Sequence, residues 1–600
     1  MKKLWFILFY IIFQLLSCSS SHKTKYDVVI IGSTPGGIMA GIAASRAGCD
    51  VLILERNKHI GGLPANGLGA TDIHTRGATG GLFLEFAHRI YDYYLKTYGK
   101  DSEQLKSCSE GYHFEPHVAE MIFEQMLAEY PSIKVLRERQ FDAQKFNVIL
   151  EENKLSGIVV TNIIKNIKET YKAKVFIDAT YEGDLAAAAG VPFKIGREGI
   201  NEYNEPLAGS VYKHWGGEVG TGSSGEADSA IQAYNYRLCL TDNPDNRVPV
   251  PKPGNYNRDE YVSIIKDVKT GRTTNGAPQK KEGIWRIVNM VSLPNQKTDS
   301  NNQHLAFLST DLPEENWPWP LADWDWRDKF ANRLRDYTLG LLWFAQNDLE
   351  LPENFRDENK KWGLAADEYK DNNNFPRQVY VREGRRLVGE YFFTAHDAIP
   401  VSGNARPPIH QNSITASHYA IDSHAVRKRE AGRVHLDGFL SYRVQPYTVP
   451  YGVIVPTVVE GLLTPVPVSG THLGFSTLRM EPCWMALGQA AGTAAAICVE
   501  KDILPRYVDI NELQDRLLEQ NAVLIYYKDV NRNHHCYKAV QYFGLQGIIP
   551  EWKVHPDKPL TEMEKEQLIR QAKIDLHGIA LTKPITKGEL LNILYNSIKK

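Results

Sequence analysis

The sequence has few cysteines, and their spacing excludes two classes of protein. Seven cysteines occur among 600 residues, and no two of them form a CxxC pair. This spacing does not supply the clustered thiolates of an iron–sulfur centre, and it specifies no disulfide framework. An HExxH motif or a comparable metal-ligand spacing is also missing. We therefore predict that the protein binds no metal.

Charge of one sign is also scarce. The 69 lysines and arginines nearly balance the 71 aspartates and glutamates, the net charge is −2, and basic runs are as short as Arg427-Lys428-Arg429. No strong field therefore favours nucleic acid, which we exclude as a partner. Hydrophobic residues make up 43% and charged residues 23%, as in ordinary globular chains, and the length predicts two or three domains.

The chain begins with an apolar run that is too short to span a bilayer. Lys2 and Lys3 precede this run at residues 4–16, whereas a transmembrane helix needs about 20 apolar residues. The pattern is typical of a secretory signal. The run ends in Leu15-Leu16-Ser17-Cys18, which resembles a bacterial lipobox, although Leu16 stands where a small residue is commoner.

In a lipobox the cysteine is lipidated and becomes the first residue of the mature chain. We therefore expect a signal peptide at residues 1–17, lipidation at Cys18 and a polar tether at 18–25. The expected location is the cell envelope, on the periplasmic face or the outer surface, with the lipid anchor in the membrane. A plain signal peptide that happens to precede a cysteine is the alternative.

A βαβ unit follows the tether. Apolar strands at residues 26–31 and 51–54 flank the turn Gly32-Ser33-Thr34-Pro35-Gly36-Gly37 and a helix of small residues. A dinucleotide fold needs glycine in this turn because the turn is tight, the pyrophosphate approaches the backbone, and the helix packs closely on the sheet. Gly32 and Gly37 occupy the first and third glycine positions, and Thr34 replaces the middle one.

An acidic residue completes the fingerprint. Glu55 ends the second strand, about twenty residues beyond the glycines, where a carboxylate accepts the ribose hydroxyls. The phosphates would lie against the helix N-terminus, where N–H groups and the helix dipole favour negative charge. The pattern predicts dinucleotide binding, and a glycine turn in an α/β domain that binds no nucleotide is the alternative.

Three further segments resemble the FAD form of this fingerprint. One runs from Arg56 through Gly61-Gly62 to Asp72, and another, at 175–185, resembles the second FAD segment of flavoproteins with two dinucleotide domains. After Arg479, a proline-started helix would aim its positive end at the flavin pyrimidine oxygen. We predict FAD as the cofactor, with binding residues Gly32, Thr34, Gly36, Gly37, Glu55, Arg56, Gly61, Gly62, Leu63, Thr71, Asp178, Ala179, Thr180, Gly183, Asp184, Met480, Glu481 and Gln489.

The predicted fold class is α/β. We expect a Rossmann-like, three-layer ββα FAD/NAD(P)-binding domain with an inserted α+β substrate domain and a helical C-terminal appendage. The FAD-binding domain is predicted to be split into residues 26–200 and 401–504, with the inserted domain at 201–400 and the appendage at 505–600. Within these segments we predict an antiparallel meander at 147–177, helices at 82–98, 117–130, 325–350, 415–430 and 488–499, and loops at 200–280.

Taken together, these motifs resemble a bacterial FAD-dependent oxidoreductase family that shares a domain with the heterodisulfide reductase A subunit. Segments at 362–364, 376–383, 388–391, 420–424 and 446–451 match it in order, and the resemblance covers about residues 26–500. It implies FAD and redox chemistry but names no substrate. The tail at 526–550 resembles a degenerate S-layer homology motif, and a helical appendage packed on the main body is the alternative.

Our catalytic candidates are His472, as a general base, and Asp72. Arg382 and Glu383 anchor an anionic substrate or form a structural ion pair. Tryptophans 317, 319, 324 and 326 line a sugar site or fill the core.

We predict hydride transfer from a small-molecule or sugar-like substrate to FAD, with an unknown electron acceptor. Only one full dinucleotide fingerprint is visible, and FAD would occupy it. Two alternatives stay open. One is a surface glycan-binding protein that uses the FAD fold as a scaffold, and the other is an NAD(P)H-driven flavin reductase.

Overall fold

The structure is a computed structural model that describes residues 24–279, 282–401, 403, 405–574 and 584–599. The predicted signal peptide and the lipidation site Cys18 lie outside these residues.

The described residues form 21 strands and 15 α-helices. The strands are β1 (Lys25–Ile31), β2 (Val51–Leu54), β3 (Ile133–Leu136), β4 (Arg139–Gln140), β5 (Val148–Glu151), β6 (Lys154–Asn162), β7 (Ile167–Asp178), β8 (Phe193–Lys194), β9 (Tyr212–Lys213), β10 (Leu238–Thr241), β11 (Arg247–Val248), β12 (Val288–Leu293), β13 (Lys297–Asn302), β14 (Gly363–Ala365), β15 (Arg386–Leu387), β16 (Ser413–Ser417), β17 (Ile421–Ser423), β18 (Leu436–Asp437), β19 (Leu440–Tyr442), β20 (Tyr447–Pro450) and β21 (Leu462–Leu463). The helices are α1 (Pro35–Arg46), α2 (Leu82–Tyr98), α3 (Glu103–Ser107), α4 (Pro116–Ala128), α5 (Asp184–Ala189), α6 (Ile200–Tyr203), α7 (Ser263–Thr270), α8 (Trp324–Asn347), α9 (Glu353–Lys360), α10 (His472–Leu478), α11 (Glu481–Lys501), α12 (Ile510–Glu519), α13 (Tyr537–Leu545), α14 (Glu562–Ala572) and α15 (Lys587–Ile598).

The main sheet has the order β3-β2-β1-β7-β6-β4, with β21 beside β7 and β5 beside β6. The parallel pairs are β3 with β2, β2 with β1, β1 with β7, and β7 with β21. Strands β5, β6 and β7 form the expected antiparallel meander, and β7 then returns beside β1. The carboxyl end of β7 therefore lies next to the turn that follows β1.

Helices α1 and α11 pack backbone against backbone on this sheet. A Cβ atom at Gly488 would lie 2.0 Å from the Gly36 carbonyl oxygen, and one at Gly492 would lie 2.1 Å from the Ala40 carbonyl oxygen. Only glycine permits this approach. Among the residues that the structure describes, α11 is the one helix long and apolar enough to cross a membrane, yet 94% of its most apolar window is buried inside the protein. We interpret it as a core helix.

A second, five-stranded antiparallel sheet has the order β11-β14-β10-β13-β12. All its strands come from residues 238–365, inside the predicted insertion, and α8 lies in the same stretch. Asp184 of α5 accepts hydrogen bonds from Arg327 of α8 at 2.6 and 2.9 Å and from Arg385 at 2.6 Å. All three side chains are buried, so this ion triad joins α8 and the segment before β15 to α5.

The predicted helix at 415–430 is wrong. Strands β16 and β17 occupy the start of this segment, and they pair with β20 and β19. Ile414 and Thr415 are β-branched and fit a pleated strand better than a helix. The predicted loop region 200–280 contains the short helices α6 and α7 and three short strands.

The C-terminal appendage packs on the main body. The Ala416 N–H donates to the Val523 carbonyl at 2.7 Å, and the Ser413 hydroxyl donates to the Leu524 carbonyl at 2.8 Å. The Arg406 guanidinium lies 3.8 Å from the centre of the Trp552 ring. These contacts agree with the packed-appendage alternative for this segment.

Candidate functional site

The glycine turn after β1 has the shape that its sequence requires. Gly32 has a φ of +94°, and a Cβ there would lie 2.7 Å from the Ala179 carbonyl oxygen. A Cβ at Gly37 would lie 2.1 Å from the Gly32 carbonyl oxygen. At Gly36 it would lie 2.8 Å from a methyl group of Val466. The turn is therefore closed to side chains at all three positions.

Thr34 explains how the turn works without its middle glycine. Its hydroxyl donates to the Ala179 carbonyl at 2.8 Å and accepts from the Gly37 N–H at 3.2 Å, so it caps α1 and joins the turn to β7. No hydrogen bond within the described residues engages the Gly36 N–H. That donor remains at the helix N-terminus, where it can bind a phosphate.

Glu55 lies where the fingerprint places it. Its Oε2 accepts hydrogen bonds from the Ser33 N–H at 2.9 Å and the Ser33 hydroxyl at 2.7 Å, and its Oε1 accepts from the Asn57 N–H at 2.7 Å. A carboxylate has about four acceptor positions, so at least one is left for a ribose hydroxyl.

A cleft of about 810 Å³, a volume that includes solvent at its mouth, opens beside the turn. Of the predicted cofactor residues, Gly32, Thr34, Glu55, Arg56, Thr180 and Asp184 line it. The Arg56 guanidinium lies 4.1 Å from the centre of the Trp324 ring. Sequence reasoning missed Arg139, Phe141 and Trp324 as walls of this cleft, because they come from β4, the loop after it and the inserted helix α8.

Gly61, Gly62 and Leu63, the second glycine segment, contact Tyr181 or its neighbours instead of lining the cleft. Gly62 has a φ of +52°, and a Cβ there would lie 2.4 Å from the Tyr181 hydroxyl. That hydroxyl accepts from the Leu63 N–H at 3.1 Å and donates to Glu481 Oε1 at 2.5 Å. The second glycine pair, the segment after β7 and the start of α11 therefore meet at Tyr181.

The N-terminus of α11 points into this meeting place. Met480 is its N-cap residue and makes no side-chain capping bond, and Pro482 lies in its first turn. Burial raises the pKa of Glu481 to about 8. Its Oε2 and the Trp484 Nε1 are buried with no hydrogen-bond partner among the described residues. A cofactor with ring nitrogen and carbonyl groups would satisfy such atoms.

Several predicted binding residues support the turns rather than face the cleft. Asp178 accepts from the Thr180 N–H and hydroxyl and from the Ala186 N–H, at 2.7–3.0 Å, and burial raises its pKa to about 6. Gly183 adopts a left-handed conformation before α5. Gln489 accepts from the Leu82 N–H at 2.9 Å, on the side of α11 that faces α2.

Thr71 leads to a polar cluster that the sequence did not reveal. We call it the Asp72 cluster and define it as Asp72, Arg237, Tyr380, Tyr419, Asp422 and Arg479. The Asp72 side chain is 19% exposed, and its carboxylate lies 3.9 Å from Arg237 Nη1 and 3.5 Å from the Tyr419 hydroxyl. Burial raises the pKa of Asp72, and the Arg237 charge opposes some of this rise. Arg479, a member of the cluster, directly precedes Met480, the N-cap residue of α11, so the cluster adjoins this helix N-terminus. The charge of Asp72 also raises the pKa of Glu481.

The arginines of this cluster are held rigidly. Asp299 of β13 accepts from Arg237 Nε at 2.7 Å and pairs with its Nη2 at 2.5 Å. Arg479 donates to the Tyr380 hydroxyl at 3.0 Å and the Asp422 carbonyl at 2.8 Å, and its buried Nε has no partner among the described residues. Arg479 Nη2 also lies 3.3 Å from Asp422 Oδ2. The cluster therefore holds two arginines, each paired with an aspartate, beside the Asp72 carboxylate, which lacks a close ion pair.

His472, the other predicted catalytic residue, has different neighbours. Its Nδ1 lies 2.9 Å from Glu383 Oε2, and its Nε2 lies 3.1 Å from the Ser423 hydroxyl. The side chain is 5% exposed. The structure therefore does not join His472 to Asp72 through a shared partner, and both of its ring nitrogens are already engaged.

The remaining candidates are also placed in the interior. Arg382 pairs with Asp311 at 2.9 Å, whereas Glu383 pairs with Arg386 at 2.8 Å and with His472, so the two neighbours do not pair with each other.

The four tryptophans form no exposed platform for a sugar. Trp319 is 4% exposed and lies with Trp324 on the wall of the cleft. Trp317 donates to the Val426 carbonyl at 3.1 Å. Trp326 stacks on Phe330, with 5.5 Å between the two ring centres.

Comparison with known proteins identifies the family of this chain. Residues 27–517 match a family model described as FAD dependent oxidoreductase. The chain belongs to this family. FAD is therefore its cofactor, and the protein is an oxidoreductase. The α/β fold, with its parallel strands beside the glycine turn, is the Rossmann-type fold expected of this FAD-binding family.

Individual relatives and solved structures match shorter stretches. Digeranylgeranylglycerophospholipid reductase from Methanocella arvoryzae is 29% identical over 191 residues, which are 30% of this chain and 43% of the relative. Digeranylgeranylglycerophospholipid reductase 2 from Methanopyrus kandleri is 49% identical over 51 residues, 7% of this chain and 13% of the relative. This chain thus spans less than half the length of these relatives. The glycerol-3-phosphate dehydrogenase from Bacillus halodurans complexed with FAD is 13% identical and covers 34% of this chain and 45% of that chain, with a TM-score of 0.21.

The described residues fit FAD. Gly32 and Thr34 line the cleft at the start of α1, where a helix N-terminus can bind a pyrophosphate. Glu55 has acceptor capacity for a ribose, and Glu481 and Trp484 offer buried polar atoms beside the α11 N-terminus. Bound FAD supplies the acceptor for a hydride. The positive end of α11 is oriented to stabilise negative charge in this place.

Proposed function

We propose that this enzyme is an exported, lipid-anchored oxidoreductase in which a small-molecule substrate, with carbohydrates as one candidate class, gives a hydride to FAD. The Asp72 cluster carries the proposal. It combines a carboxylate of raised pKa with two rigid arginines, and it adjoins the residues that fit the cofactor. Oxidation of an alcohol by hydride transfer uses a base for the hydroxyl proton and donors that hold the substrate oxygen, and the cluster offers both kinds of group.

In this mechanism Asp72 is the base. As the hydride leaves the substrate carbon, the carboxylate accepts the hydroxyl proton, and the raised pKa brings the base closer to neutral pH than an ordinary aspartate. Arg237 and Arg479 hold the oxygen that becomes a carbonyl. Rigid placement is essential because much of the rate enhancement in such a step comes from positioning.

The geometry favours Asp72 over His472 as this base. The partially exposed Asp72 carboxylate has no polar partner closer than 3.5 Å among the described residues, whereas His472 is buried between Glu383 and Ser423. We assign His472 a positioning role, in which it holds Glu383 and the strand β17 that carries Asp422.

Anaerobic mixing of the FAD-loaded protein with a panel of sugars, sugar acids and glycan fragments tests the reaction. We expect one class of compound to bleach the flavin absorbance. A protein that binds stoichiometric FAD but is bleached by no member of the panel would contradict a carbohydrate-like reductant.

The envelope location has its own test. Two or more acyl chains hold a protein firmly to a membrane, whereas one gives only marginal anchoring. We expect Cys18→Ser to move the protein from the membrane fraction to the soluble fraction, as measured by immunoblotting of fractionated cells. Ser19→Ala is the matched control and should stay with the membrane. A Cys18→Ser protein that is still processed and membrane-bound would rule out lipidation at this residue.

A further inference from the structure

A second cavity, separate from the nucleotide cleft, is lined by residues from two parts of the chain, 260–337 and 425–439. Its volume is about 1080 Å³, which again includes solvent at the mouth. Phe307, Phe439 and Tyr337 provide aromatic walls, Asp311 lies on its lining, and Arg429 and Lys428 contribute cationic side chains. We call it the Arg429 cavity. Apolar walls with a few polar groups are typical of small-molecule sites.

The floor of this cavity connects with the Asp72 cluster. Asp311 pairs with His424 Nδ1 at 2.8 Å and with Arg382 Nη1 at 2.9 Å. On its other side, His424 Nε2 lies 3.8 Å from Asp422, a member of the cluster. A single buried histidine therefore separates an aspartate on the cavity lining from the cluster that we assign to catalysis.

The cations of the cavity differ in how well they are paired. Arg427 lies 3.0 Å from Asp228, and Lys428 lies 2.7 Å from Glu315. Arg429 has its nearest carboxylate oxygen, on Asp267, at 3.6 Å, and its guanidinium lies 4.0 Å from the centre of the Phe307 ring.

Asp267 is itself shared, because Arg272 also lies 3.6 Å from the same oxygen. The side chain of Arg429 keeps 27% exposure. Its guanidinium therefore lies over an aromatic ring, close to one shared carboxylate, with donors left for a further anion.

We infer that the Arg429 cavity binds a small organic anion with an apolar or aromatic body. The anionic group pairs with Arg429, and the body lies between Phe307 and Phe439 with its far end toward Asp311 and His424. The assignment of this anion as the substrate rests on the proposed function. The binding of the anion to the cavity is independent of that function.

Titration calorimetry on the FAD-loaded protein tests the binding directly. The probe is 8-anilinonaphthalene-1-sulfonate, an aromatic anion, and N-phenyl-1-naphthylamine is its uncharged counterpart. We expect one anion to bind per chain, and Arg429→Met to weaken this binding about tenfold or more, since a charge-assisted hydrogen bond is lost. Binding of the uncharged probe should change little.

Arg433→Met is the matched control, because Arg433 does not line the cavity and its guanidinium lies on the Tyr212 ring instead. It should bind the anion as the unchanged protein does. No binding of the anionic probe, or equal binding by the Arg429→Met and unchanged proteins, would overturn the inference.

A second readout separates the substrate role from binding. For the compound that bleaches the flavin, Arg429→Met should raise KM and leave kcat nearly unchanged, because the lost contact lies away from the reacting carbon. An unchanged KM would overturn the substrate role and leave anion binding intact. A panel without any reductant would count against the proposed function alone, since calorimetry needs no turnover.

Discussion

The nucleotide cleft and the Asp72 cluster are built in opposite ways. The cleft depends on backbone: three glycines leave no space for a Cβ, and Gly36 presents an N–H at the start of α1. The cluster depends on side chains, with charged groups from separate segments held by ion pairs. Substitutions in the cleft should therefore weaken cofactor binding by steric clash. Substitutions in the cluster should instead slow the reaction, because they change the charge beside the substrate.

The largest effect should follow from a side chain in the cleft. Gly37→Val places a Cβ 2.1 Å from the Gly32 carbonyl oxygen, so the turn must open. We expect loss of FAD and lower stability, because bound cofactor also favours the folded state. The measurement is the FAD-to-protein ratio after purification, together with Tm.

The matched control for this variant is Gly254→Val, since nothing lies within 4 Å of a Cβ at Gly254. This control should retain FAD. Stoichiometric FAD in the Gly37→Val protein would show that the turn does not hold the cofactor.

A change of charge in the cluster should leave FAD in place and slow the reaction. Asp72→Asn removes the proposed base, and we expect kcat to fall by roughly 10²- to 10⁴-fold. The unchanged enzyme should lose activity as pH falls through the pKa of Asp72, which lies above the usual aspartate range, because only the ionised carboxylate accepts a proton.

The variant should lack this acidic limb in its pH–rate profile. Asp245→Asn, on an exposed loop, is the matched control and should keep full activity. Full activity of Asp72→Asn would assign the base to another residue, and His472→Gln is then the next variant to measure.

The smallest effect should come from the ribose site. In the unchanged protein, Glu55 accepts hydrogen bonds from the Ser33 N–H at 2.9 Å and from the Asn57 N–H at 2.7 Å. Glu55→Gln keeps an oxygen for Ser33, but its amide N–H₂ then faces the Asn57 N–H, and the bond to Asn57 is lost. We expect FAD affinity to fall about tenfold, the cost of roughly one hydrogen bond to a charged group. The release of FAD on dilution measures this affinity. Glu151→Gln, at an exposed position, is the control and should release FAD as the unchanged protein does. A loss as complete as that of Gly37→Val would mean that Glu55 mainly holds the turn.

The same comparison explains what the sequence could predict. The glycine turn, Glu55 and the second glycine pair lie within 31 consecutive residues, 32–62, where local spacing reports local geometry. Helices α2 and α4 and the meander also follow from their periodicity.

The Asp72 cluster has no such spacing. Arg237, Tyr380 and Arg479 approach Asp72 only because the second sheet and α11 pack beside the turn. Likewise, the sequence predicts a helix where β16 and β17 lie, because these short strands gain their pairing from β20 and β19, later in the chain. Contacts between separate segments leave no periodic signal in the chain.

The source of the electrons distinguishes oxidation of a substrate from reduction by a nicotinamide cofactor. We expect the substrate to be the reductant, since the one full dinucleotide fingerprint visible in the sequence, residues 32–55, belongs to FAD. The measurement is anaerobic stopped-flow mixing of the FAD-loaded protein with NADH, NADPH and the sugar and sugar-acid panel. We expect bleaching of the flavin by a panel compound and none by either nicotinamide on the timescale of turnover. Rapid bleaching by NADH or NADPH would contradict the account and make the enzyme a reductase of a separate acceptor.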